Sequence, residues 1–86
     1  KVDTMPDKAF YANTLGYIYY YGRCNNDIPQ YEEAYKYFSF GAFNRIYESQ
    51  YKIADMYRNG YGVVKSPETS NCIIRQLENL IGIENQ

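Results

Sequence analysis

Eighty-six residues bound this chain to one small domain with a modest core. Nine basic and ten acidic side chains nearly cancel, which removes the electrostatic case for nucleic acid or an anionic membrane as partner. Histidine, the commonest general base and zinc ligand, is absent, and no apolar run approaches the roughly 20 residues a membrane span requires.

Four helices are predicted in chain order. The first runs from about Pro6 to Tyr21, with Thr4 or Asp3 as cap, Asp7 in the first turn and Gly22 as its stop. Its apolar stripe is Ala12, Leu15, Gly16 and Tyr19. The run Ile18-Tyr19-Tyr20-Tyr21 favours a strand by propensity, but the flanking helical stripe overrides it. A loop over Arg23 to Ile28 follows. The second helix spans about Pro29 to Phe43, and Tyr31, Ala34, Tyr35, Phe38 and Ala42 recur on it at spacings of three and four. The third covers about Ile46 to Arg58 and ends at Asn59-Gly60, a left-handed stop. After a loop over Tyr61 to Lys65, Ser66 caps the fourth helix, Pro67 takes its first position and Glu68 follows. That helix continues to about Leu80, with Ile73, Ile74, Leu77, Leu80 and Ile81 on one side. Cys24 and Cys72 are too few and too far apart for a disulfide framework and read as two unpaired thiols.

The segments repeat. Leu15-Gly16-x-x-Tyr19-x-x-Gly22 matches Ile53-Ala54-x-x-Tyr57-x-x-Gly60, an offset of thirty-eight positions. In the helices that follow, Ala34 and Phe38 match Ser70 and Ile74 at an offset of thirty-six. A period of this length with paired helices predicts an all-α, α/α superhelical solenoid of antiparallel helix pairs. The chain reads as a single unit over 1–86, with repeat one at about 10–44 and repeat two at about 45–80.

These residues resemble the SLR (Sel-one-like repeat) family, a branch of the tetratricopeptide-like solenoids. The resemblance spans roughly Phe10 to Leu77. It is carried by the aliphatic-small-x-x-Tyr-x-x-Gly pattern in both copies, by Gly60-Tyr61-Gly62-Val63 as the loop signature, and by Gly41-Ala42 as the small pair closing the second helix. The first loop lacks the second glycine. Arg45 stands where the family has a glycine, with Asn44 expected to take the left-handed conformation instead. Leu77-Glu78 replaces the small pair on the fourth helix.

The resemblance implies a non-catalytic scaffold whose first and third helices line a concave face for a protein or peptide partner. By alignment that face carries Phe10, Asn13, Tyr17, Tyr20 and Tyr21, then Glu48, Tyr51, Asp55, Arg58 and Asn59. The expected partner-binding set is Asn13, Tyr17, Tyr20, Tyr21, Tyr51, Asp55 and Arg58, because tyrosine and arginine dominate interface hot spots. Two alternatives stand beside it. One is a structural spacer whose tyrosines pack on neighbouring repeats. The other is a cell-wall or β-lactam-related enzyme, suggested by Ser49-Gln50-Tyr51-Lys52 as a Ser-x-x-Lys motif. The latter lacks its companion elements and a fold of sufficient size. Gly60-Tyr61-Gly62 lacks the strand and Lys-Ser/Thr of a phosphate loop. Glu32 and Glu33, adjacent on a helix, diverge by about 100° and do not form a catalytic pair. No catalytic, metal or cofactor residue is expected, nor any nucleic-acid or membrane partner, and the compartment is left open. Two repeats fall below the roughly three that such arrays need, so self-association or marginal stability is expected. The start at Lys1, without a leader, reads as a fragment of a longer protein.

Overall fold

In a computed structural model describing residues 5–84, the chain forms four helices. They are α1 (Met5–Tyr21), α2 (Tyr31–Phe43), α3 (Tyr47–Asn59) and α4 (Pro67–Glu84), with no strand among the described residues. The order of packing follows the chain. α1 lies against α2, α2 against α3 and α3 against α4. α1 also touches α3, while among the described residues α4 meets neither α1 nor α2. The result is two helical hairpins side by side, an arrangement consistent with a helical-hairpin repeat. The slab measures 43 × 37 × 15 Å, so few side chains lie far from solvent.

Helix ends follow local chemistry. Asp3 and Thr4, the expected caps of α1, lie outside the described residues. At α4 the Ser66 hydroxyl accepts the Thr69 N–H at 3.2 Å, the expected cap. α1 and α3 stop where Gly22 and Gly60 turn left-handed, at φ 65° and 73°, a conformation that side chains disfavour. At the end of α2 the reversal falls on Arg45 (φ 68°) and not on Asn44 (φ −98°), which corrects the expectation from sequence. Asn44 is already engaged as a cap, donating its Nδ2 to the Phe40 carbonyl at 2.8 Å, so the chain turns one residue later. α2 begins at Tyr31, two residues after Pro29, and α4 continues to Glu84, beyond Leu80.

The core is thin and aromatic. Tyr20, Ala34, Phe38, Ile53 and Met56 are buried together, with Tyr17, Tyr19, Tyr31, Tyr35 and Tyr57 packed around them. Burial of these rings outweighs the strand propensity of Ile18 to Tyr21, which stay helical. The stripe expected on α2 faces this core. On α1 the expected stripe is rotated: Ala12 and Gly16 are buried, but Leu15 is 37% exposed and Tyr20 takes the inward place. Small residues set the helix spacing. A Cβ on Gly16 would lie 2.6 Å from the Phe38 ring, and one on Gly41 would collide with the Ser49 hydroxyl.

Ser70 occupies the place of Ala34 in the second hairpin. It is fully buried, and its hydroxyl has no hydrogen-bond partner among the described residues. An unmade buried hydrogen bond costs about 1–3 kcal/mol, so Ser70→Ala is expected to stabilise the fold by about 1 kcal/mol, read from denaturant midpoints at unchanged slope. A destabilised variant would show that the hydroxyl is satisfied after all.

Candidate binding surface at the junction of the hairpins

α1 and α3 lie side by side with residue i next to residue i+35. Asn13 donates from Nδ2 to Glu48 Oε1 at 2.8 Å, and the Tyr20 hydroxyl donates to Asp55 Oδ2 at 2.6 Å. Between these two rungs, the Lys52 ammonium stands 5.4 Å from the Tyr17 ring centre. Positions 13, 17 and 20 share one stripe of α1, and 48, 52 and 55 share one stripe of α3, because spacings of three and four return to the same helix face. A further bond closes the junction: the buried Ser49 hydroxyl donates to Asn13 Oδ1 at 2.6 Å.

Lys52 is the centre of this surface. Its ammonium lies 4.2 Å from the Tyr20 ring centre and 5.1 Å from that of Tyr21, and it donates to the Tyr21 hydroxyl at 3.0 Å. The ammonium therefore sits closest to the Tyr20 ring, lies beside that of Tyr17, and meets Tyr21 at its hydroxyl edge. Tyr17 and Tyr21, one turn apart, hold their rings nearly parallel at 6.2 Å, and Tyr17 meets Phe38 edge-on at 5.2 Å. The Arg23 guanidinium sits 5.2 Å from the Tyr21 ring centre. The loop signature joins from the other side: Tyr61 stacks on Tyr31 at 4.2 Å, and Gly62 lies against the Tyr31 backbone so closely that a Cβ would come within 2.9 Å.

Burial divides the expected binding residues. Asn13 and Tyr20 are each only 8% exposed and bonded across the junction, so they hold the hairpins together and present no free contact surface, which corrects their expected exposure. Tyr17 and Asp55 are half-buried. Asp55 accepts from Tyr20 and, at 3.2 Å, from Asn59 Nδ2. Tyr21 at 43%, Tyr51 at 41% and Arg58 remain open to solvent. Sequence reasoning missed Lys52, although its signal was present: it lies on the stripe of Glu48 and Asp55, opposite the tyrosine stripe of α1.

Burial pushes the Tyr20 hydroxyl well above its ordinary value of 10.0, and the hydrogen bond to Asp55 adds to the effect. Burial raises Tyr17 as well, helped by the nearby Glu48 carboxylate. Tyr57 is raised chiefly by its hydrogen bond with Tyr35, whose hydroxyl is 2.9 Å away.

The other motifs have local explanations. Ser49 and Lys52 are engaged with different partners, Asn13 and Tyr21. Glu33 pairs with Lys36 at 3.2 Å on the open side of α2. Cys24 and Cys72 are free and exposed. Among the described residues, no group of three or more His, Cys, Asp or Glu is placed to hold a metal ion, and no helix is long and apolar enough to cross a membrane. No protein-family model, curated protein or solved structure gives a significant match to the chain.

Proposed function

We propose that this chain is a non-catalytic interaction module, an SLR-type solenoid segment that binds a peptide or protein partner on its α1–α3 face. The observation that carries the reading is Tyr21. Its ring is exposed, yet it is already held by Lys52 and by stacking on Tyr17. A partner that covers it loses little side-chain freedom in doing so, and a pre-ordered aromatic ring is the kind of group that anchors an interface. Tyr51 and Arg58 extend the surface along α3. Together they offer aromatic area with a cation beside it.

The burial of Asn13 and Tyr20 favours a second reading, a structural spacer in which the tyrosine cluster serves only to lock hairpin to hairpin. One comparison separates the two. The parent and its Tyr21→Ser, Tyr51→Ser, Arg58→Ala variant are used as bait in lysate of the source organism, after both show the same helical circular dichroism. The binding reading expects a specific protein captured by the parent and lost by the folded variant. A catch indifferent to these three substitutions, or no catch, supports the spacer.

A further inference from the structure

Of the chain's asparagines only Asn59 is followed by glycine. Such a pair is prone to spontaneous loss of the side-chain amide, because glycine has no Cβ to hinder the ring closure involved. Hydroxide removes the Gly60 N–H proton, and the nitrogen attacks Asn59 Cγ. An N–C bond forms, Nδ2 leaves as ammonia, and a cyclic imide results. Water then opens the imide at one of its two carbonyls. One opening gives aspartate. The other gives isoaspartate, with the main chain running through Cβ and Cγ.

In the folded chain both reacting groups are held out of this reaction. The Gly60 N–H donates to the Met56 carbonyl at 2.8 Å, as the cap that ends α3. Asn59 Nδ2 donates to the Asp55 carbonyl at 3.0 Å and to Asp55 Oδ1 at 3.2 Å. The other oxygen of that carboxylate, Oδ2, accepts the Tyr20 hydroxyl across the joint at 2.6 Å. Tyr20 thereby fixes the carboxylate that holds the amide. Asn59 is itself exposed, so water and hydroxide reach it as soon as the last turn of α3 opens.

We infer that Asn59-Gly60 is a deamidation site gated by the joint between the hairpins, closed while Tyr20 holds Asp55 and open when that bond breaks. The product acts back on the gate. Aspartate at position 59 puts a second carboxylate beside Asp55, four residues away on the same helix, and at the end of α3 where the helix dipole disfavours negative charge. Isoaspartate lengthens the main chain and draws the Gly60 and Tyr61 amides away from the Met56 carbonyl that both now share. Tyr61 is the ring stacked on Tyr31, so either product loosens the joint that had slowed its formation. The site does not depend on the function proposed for the α1–α3 face.

Peptide mass spectrometry on the 86-residue chain at neutral pH follows the reaction. In denaturant, Asn59 should be the first asparagine to react. In the folded parent it should be slower by about tenfold or more, because the reaction follows the fraction of open molecules. Tyr20→Phe, with unchanged helical circular dichroism, should react about tenfold faster than the folded parent. Gly16→Ala, which strains the packing on Phe38 but leaves the Tyr20–Asp55 bond in place, should stay near the parent's rate. Another asparagine reacting first in denaturant, equal rates in folded and denatured parent, a Tyr20→Phe rate equal to the parent's, or the same acceleration in Gly16→Ala overturns the gate. Should Tyr20→Phe fail to fold, Asp55→Ala removes the same hold and takes its place with the same expected rise. Asn59→Asp, the aspartate product, should lower Tm by about 4 °C, and an unchanged melt overturns the effect of the product on the joint.

Discussion

Gly16→Ala is expected to destabilise the protein by about 1–2 kcal/mol, although the same change inside an ordinary helix gains about 0.5–1 kcal/mol. The sign reverses because the added methyl would lie 2.6 Å from the Phe38 ring, itself fully buried and unable to withdraw. Overpacking of this kind costs about 1–3 kcal/mol, which exceeds the gain in helix propensity. The second hairpin indicates the remedy. There the equivalent positions hold Ala54 and Ile74, a larger residue on the third helix matched by a smaller one on the fourth. Adding Phe38→Ile to Gly16→Ala is therefore expected to recover part of the loss. Denaturant melts of the two single variants and the double variant give the coupling directly. Strict additivity would show that the two positions do not share one packing constraint.

Tyr20→Phe is expected to cost about 1.5–3 kcal/mol, the range for a hydrogen bond to a charged group, with the lower end favoured because Asp55 is half-buried and regains water. The ring stays, so its contacts with Tyr31 and Phe38 survive and the loss reports the hydroxyl alone. The same bond makes a prediction about pH. The folded state holds the Tyr20 proton more tightly than the unfolded chain, whose tyrosines titrate near 10.0. A raised value in the folded state gives stability that is fully present below pH 10 and is lost as the pH climbs toward the folded value. Alkaline melts of the parent should fall away above that point, and those of Tyr20→Phe should fall away less. Parallel alkaline losses in the two proteins would mean that Tyr20 titrates normally.

The helices and their stops were legible in the sequence because they rest on local rules. Ser66 and Pro67 start α4, Gly60 ends α3, and the spacing on α2 places Ala34 and Phe38 inward. The offset between the hairpins was legible for the same reason, since a repeated unit repeats its small and large residues. The division of the tyrosines was not. Alignment placed Asn13, Tyr17 and Tyr20 on one stripe, and the structure keeps them there, but it closes α3 over that stripe. The register that decides this is thirty-five positions, about one turn short of the sequence period. Sequence period measures the distance between equivalent residues, whereas contact register measures which residues meet. The local pattern by itself determined four helices in two pairs. Only the packing of one pair on the other decided that Tyr20 and Asn13 became the joint, that Lys52 sits among three rings, and that Tyr21, Tyr51 and Arg58 were left in solvent.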